Sequence, residues 1–220
     1  MALFVLLSGC IKKDNTYYFY YPSDDTVNDI DGNIYHLVHI KGQTWMSENL
    51  KTTRYRDGDT IAHVKDTGSW GKFKKGAWCN YGNDTVNVRV YGRLYNGYAA
   101  ASGNLCPISW HVPYDYEWQA LTDSLKGRSM AGGMLKETGT AHWQTNTGAL
   151  NLYGFTARPG GNIDTTGMFS EVRQRGYWWS STGYLVHNAW TWSMNGEDAG
   201  IYRTPRKMES GFSVRCIRDY

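Results

Sequence analysis

The chain has 220 residues, with 23 Lys and Arg against 20 Asp and Glu for a formal net charge of +3. That length suffices for one large domain with its own core, and the near balance of charge argues against a dedicated nucleic-acid binder, which would carry a basic stripe. The 25 Gly, 10 Trp and 17 Tyr beside 5 Pro exclude a coiled coil, a helical solenoid and a disordered chain. They imply short strands, tight turns and loops over an aromatic core.

Leu7-Ser8-Gly9-Cys10 reads as a bacterial lipobox. On that reading residues 1–9 are a cleaved signal segment, and acyl chains on Cys10 anchor the chain in the outer membrane. The apolar run Ala2–Leu7 is shorter than the usual core of such signals, roughly 7–15 residues, and no Lys or Arg precedes it. Residues 10–28 read as a tether, whose tyrosines suit an added strand on the domain. The domain itself is expected over residues 29–220.

Asp29, Asp31 and Asn33 mimic the start of a calcium loop, but Ile34 and Ile40 stand where Gly and Glu are needed, so a polar β-turn without metal is expected. Ile34–Ile40 then forms a hairpin through Lys41-Gly42 with Gln43–Met46. His36 and His39 point to opposite faces of that strand and share no metal. The best helix runs from Tyr114 to Lys126. Pro113 precedes it, Asp115 and Glu117 suit its positive end, Trp118, Leu121 and Leu125 fall on one face, and Gly127 stops it. A second helix is expected near Ser129–Lys136. Further on, Arg158-Pro159-Gly160-Gly161 reads as a turn and Tyr177–Thr182 as a strand. Asn188–Met194 and Ala199–Thr204 read as a hairpin around Asn195-Gly196. The last expected strand is Phe212–Ile217, with Phe212, Val214 and Cys216 on one face.

With Cys10 acylated, Cys79, Cys106 and Cys216 remain, and an odd count allows at most one bridge within the chain. Export favours a disulfide. Cys106–Cys216 is the expected pair, with Cys79 either buried and free or the true partner of one of the two.

The chain holds no nucleophile elbow, phosphate loop, His-Glu-x-x-His or dinucleotide fingerprint. Glu48, Glu117, Glu137 and Asp164 are carboxylates that nothing in the sequence pairs. Recognition without a cofactor is therefore expected, rather than catalysis. The segment from Tyr184 to Tyr202 mixes aromatic rings with directed hydrogen-bonding groups, which suit sugars and protein surfaces alike. Tyr184, His187, Asn188, Asn195, Asp198 and Tyr202 are the candidate ligand-binding residues, while Trp190 and Trp192 share a face with Met194 and read as core.

A set of ordered segments resembles the Fibrobacter succinogenes major paralogous domain of exported bacterial proteins. They are Asp31–Tyr35, Gly42–Leu50, Tyr91–Asn96, Cys106–Pro113, Glu117-Trp118, Gly154-Phe155 with Pro159–Gly161, Trp178–Thr182 and Gly211–Cys216. The family usually places Thr or Ser where Tyr114 stands, a loss of about 1 kcal/mol of helix cap unless Asp115 replaces it. The helix with Glu117-Trp118 and the closing Gly-Phe-x-x-Arg segment also resemble the formylglycine-generating enzymes, which implies an α+β, C-type-lectin-like domain with two helices, twisted antiparallel strands and long loops. Their cysteine pair has no counterpart here beyond Cys216, so their oxidase activity is not implied. The expected function is a lipid-anchored envelope or cell-surface binding module for a glycan or surface protein. An adhesin or pilus-associated role is the alternative, and a glycan-active enzyme a distant third.

Overall fold

The computed structural model describes residues 10–13, 16–19 and 25–220. The expected signal segment, 1–9, lies outside them. Cys10–Lys13 pairs antiparallel with Thr16–Phe19 in a two-stranded sheet of its own, so this part of the tether adds no strand to the domain. Thr26–Asn28, placed by sequence in the tether, instead forms the edge strand of the first domain sheet.

The architecture is α+β, with few helices and mostly antiparallel sheets. A five-stranded sheet runs in the order Thr26–Asn28, Ile34–Ile40, Gln43–Met46, Ile217–Arg218, Trp110–His111. Its central hairpin forms as expected, because Lys41 and Gly42 both take positive φ, 50° and 88°, the twist that matches paired strands. The Ile34–Ile40 strand is covered on both sides. Tyr35 and Leu37 enter one core, and Val38 and Ile40 a second. His36 and His39 stay exposed on opposite faces, hydrogen-bonded to Glu48 (2.7 Å) and Thr44 Oγ1 (2.9 Å).

A three-stranded antiparallel sheet, Arg175–Gly183, Asn188–Asn195 and Tyr202–Lys207, closes the second core from the other side. Trp178 and Trp179 point to opposite faces of its first strand, one into each core. A six-stranded sheet, ordered Phe169–Val172, Gly160–Ile163, Gly211–Phe212, Leu94–Asn96, Ala77–Cys79, Ala62–His63, completes the domain.

The main helix spans Asp115–Ser124 and ends as expected, with Gly127 at φ 81°. It buries Trp118 against Trp45 (4.8 Å between ring centroids) and Trp192 (6.1 Å). The missing cap is supplied from elsewhere. Thr182 Oγ1 accepts the Asp115 N–H at 2.9 Å, and the Glu117 carboxylate accepts the Tyr114 N–H at 2.7 Å. Asp115 does not take over the cap. Its carboxylate grips Arg203 in a bidentate pair (2.8 and 2.7 Å) and accepts from Trp192 Nε1 (3.0 Å), tying the helix start to the three-stranded sheet.

A second helix is present at Ala131–Leu135, but two helices understate the content. Thr67–Trp70, Val86–Tyr91 and Gly97–Ala100 are short helices as well. Local caps start two of them: Asp66 accepts the Gly68 N–H (3.1 Å) and Asn96 the Ala99 N–H (3.0 Å).

Three strand assignments need correction. Gly160-Gly161 opens a strand instead of a turn; Gly161 sits there at φ 65°, where a Cβ would meet Ser170 O at 2.4 Å. The Asn188–Asn195 hairpin partner is Tyr202–Lys207, so Asn195-Gly196 begins a longer loop and not a two-residue turn. Phe212–Ile217 is not one strand: its ends belong to different sheets, and between them the Leu50 and Met46 N–H groups donate to Val214 O and Cys216 O. The expected facing still holds, because Phe212, Val214 and Cys216 all enter the first core.

Cys106 and Cys216 form a disulfide, as expected. Cys79 is free and buried, and burial pushes its thiol well up, so it stays protonated and inert. Among the described residues, no helix is long and apolar enough to cross a membrane.

Candidate functional site

The six candidate ligand residues are not brought together. They divide between the two ends of the Asn188–Asn195 strand, about 23 Å apart at ~3.3 Å per residue.

At one end, Tyr184–His187 form the tip joining Arg175–Gly183 to Asn188–Asn195. Leu185 and His187 take positive φ, 53° and 61°, a conformation rare for such residues. The turn is held by the Tyr184 N–H on Asn188 O (2.8 Å), and by Asn188 Nδ2 on Val186 O (3.1 Å). A third bond, from the Met208 N–H to His187 O (2.9 Å), ties the tip to the segment that follows Tyr202–Lys207. The fixed backbone turns Leu185 and Val186 outward, 80% and 76% exposed. The Tyr184 ring rests on Trp190 (4.5 Å), itself covered by the Arg203 guanidinium at 3.3 Å. Val186, His187 and Asn188 border a groove of about 330 Å³ whose other wall carries Lys74, Lys207 and Glu209. Glu209 is held by Lys74 and by Tyr98 OH (2.9 Å).

At the other end, Asn195, Asp198 and Tyr202 serve the loop itself. Asn195 Oδ1 accepts the N–H groups of Glu197 (2.8 Å) and Asp198 (3.1 Å), and Tyr202 OH donates to Asp198 (2.5 Å). Lys136, fully buried, donates from Nζ to the carbonyls of Thr147 (2.9 Å), Asn195 (3.0 Å) and Asp198 (2.7 Å). The polar atoms of Asn195 and Asp198 are thus engaged in place, which is why a hairpin turn does not form there.

The carboxylates considered from sequence each serve a different local partner. Glu48 binds His36, Glu137 binds Arg158 and His142, and Asp164 accepts the Thr166 and Met168 N–H groups. Asp29 receives the N–H groups of Asp31 and Asn33 and the Tyr35 hydroxyl, while Asp31 is taken by Thr53 and Arg54. Among the described residues, no three His, Cys, Asp or Glu side chains are grouped to hold a metal.

Sequence reasoning missed the pairing of Glu117 with His111. His111 places Nε2 on Glu117 (2.9 Å) and Nδ1 on Asp219 (2.6 Å), so both ring nitrogens are engaged. The signal available was a Glu at the third helical position, where it also caps the helix start. Burial alone would lower His111, but the two carboxylates outweigh it and hold the imidazole above its ordinary 6.5. A raised folded-state pKa adds stability that is fully present below 6.5 and is lost as pH rises through the higher folded value. Thermal melts should therefore show a stability decrement above pH 6.5 that is missing in His111→Gln; identical profiles for the two proteins would contradict the pairing.

The segments noted in the sequence meet around another buried residue, Asn49. Its Oδ1 accepts from Trp178 Nε1 (2.8 Å) and from Arg215 (2.8 Å), and its Nδ2 donates to Tyr91 O (2.8 Å). Arg215 also donates to Phe155 O. Gly-Phe, Glu-Asn-Leu, Trp-Trp-Ser and Val-Arg-Cys thus form one hydrogen-bonded junction between sheets.

This fold and junction define a class: an α+β domain of short sheets, tied by one disulfide and a buried Asn–Arg–Trp network. The chain belongs to the Fibrobacter succinogenes major domain family, whose model matches residues 38–218. No curated protein and no solved structure matches it significantly.

Proposed function

We propose that this domain is a binding module, lipid-anchored through Cys10 at the outer membrane or cell surface, which recognises a glycan or a surface protein without chemically altering it. The C-type-lectin-like character of the domain is part of the same reading. One observation carries it: the Tyr184–His187 tip presents consecutive outward side chains on a backbone fixed from three sides, beside an open polar groove. Rigid presentation of aromatic and apolar groups keeps the entropic cost of binding low. Tyr184, His187 and Asn188 remain the proposed contacts, while Asn195 and Asp198 support the opposite loop.

The test is a glycan array and a pull-down from envelope extracts, using the folded chain and a Tyr184→Ala, Leu185→Ser, Val186→Ser variant. These side chains lie outside the cores, so Leu185→Ser and Val186→Ser should each stay within about 0.5 kcal/mol, with Tyr184→Ala losing only its contact with Trp190 in addition. Ligand captured by the parent and lost by the variant supports the reading. Equal capture by both removes the tip from the site.

A further inference from the structure

Beside the Asn49 junction lies a small, partly enclosed cavity that the tip does not reach. Its volume is about 70 Å³, enough for several waters or one small oxyanion group. Four cationic residues line it, Lys51, Arg89, Arg158 and Arg215, against one carboxylate, Glu48. Two of these five charged groups already have partners. Glu48 is engaged by the His36 ring and by the His36 backbone N–H at 2.9 Å. Arg158 is neutralised by Glu137 at 2.8 Å. Among the described residues, Lys51, Arg89 and Arg215 form no ion pair with a carboxylate.

Arg215 is the most telling of the three. It is 1% exposed, yet its hydrogen-bond acceptors are all neutral oxygens, Asn49 Oδ1 and the carbonyls of Phe155 and Thr156, and its guanidinium lies 4.2 Å over the Phe155 ring. A buried guanidinium ordinarily finds a counter-charge, because leaving water costs several kcal/mol per ion. Here no carboxylate among the described residues hydrogen-bonds to it; Glu48 acts on it only from its place in the cavity lining. Gly92 also lines it, at φ 74°, packed so closely that a Cβ there would meet Asn49 Cβ at 2.7 Å and Leu50 O at 2.9 Å.

We propose that this cavity is an oxyanion-binding site that receives an acidic group of a glycan, either a carboxylate or a sulfate ester, with Arg215 at its floor and Lys51 and Arg89 at its mouth. Both groups offer oxygens to guanidinium N–H donors and match the cavity in size and charge. The assignment to a glycan rests on the binding-module reading above; the anion site itself does not.

The test titrates the folded chain with sodium sulfate, sodium glucuronate and glucose while following backbone amide signals of Glu48, Asn49 and Gly92 by NMR. Sulfate, glucuronate or both should shift these signals saturably, and glucose should not. Saturation by only one anion identifies which acidic group the site takes. Arg215 is bound into the fold, so the informative variant is Lys51→Met, Arg89→Ala at the cavity mouth. It should fold normally and bind the anion about tenfold more weakly, in line with losing two nearby charges. No saturable shift with either anion, or an unchanged affinity in the double variant, overturns the proposal. Since the probes are simple anions, failure here leaves the tip reading intact, and failure of the tip variants leaves this one intact.

Discussion

With Cys106→Ala and Cys216→Ala introduced together, the domain should unfold at lower urea, its unfolding free energy reduced by about 2–5 kcal/mol. The bond joins residues 110 apart in sequence, so it closes a loop that holds half of the chain. Loop-closure entropy for such a length is about 4.7 kcal/mol in the unfolded state. Both sulfurs are buried in the first core, so the variant also loses packing there. Cys216 sits just before Ile217, which pairs with both Trp45 and His111. The bond therefore pins the closing strand between two neighbours that lie far away in sequence. Urea titrations with and without reductant measure the effect: reductant should bring the parent down towards the variant and leave the variant unchanged. A parent whose midpoint ignores reductant would show that the bond is not closed.

Features decided within a few residues were legible in the sequence. The Lys41-Gly42 hairpin, the Trp118–Leu121–Leu125 helix face and its stop at Gly127 all rest on local conformational preference. Cysteine count and export imply at most one bridge; the expected Cys106–Cys216 pair is the one formed, with Cys79 free. What was not legible depends on distant partners. Asn195-Gly196 has the composition of a tight turn, yet Lys136 reaches in from a remote helix end to hold three carbonyls and opens the loop. Gly196 is small for a different reason: a Cβ there would strike Thr145 O at 2.2 Å. Phe212–Ile217 alternates like one strand, but Arg215 turns to Asn49 and splits it between sheets. The tip survives as a candidate because its residues face outward, whereas Asn195 and Asp198 share the tip's chemistry but spend it on their own backbone. Sequence composition alone does not separate those two uses.

Asn49→Ala should be among the most destabilising single substitutions in the chain, by about 3–5 kcal/mol. The Asn49 amide is 4% exposed overall and serves four groups at once: Trp178 Nε1, the Arg215 guanidinium, Tyr91 O and Ser213 Oγ. Truncation leaves the indole N–H and part of a buried guanidinium without an acceptor, and an unmet buried donor costs about 1–3 kcal/mol, more when charged. Arg215 has little to fall back on. Burial already pulls its guanidinium down to about 9, and its other partners are neutral carbonyls. Arg215→Met alone should cost less than Asn49→Ala, because it removes the charge together with its need for acceptors. The pair Asn49→Ala, Arg215→Met should then lose clearly less than the sum of the single losses, since the second substitution removes the group that the first one orphaned. Urea unfolding of the four proteins gives the coupling directly. Additive losses, or an Asn49→Ala protein within about 0.5 kcal/mol of the parent, would mean that the junction is held by packing of Trp178 and Phe155 and not by the amide.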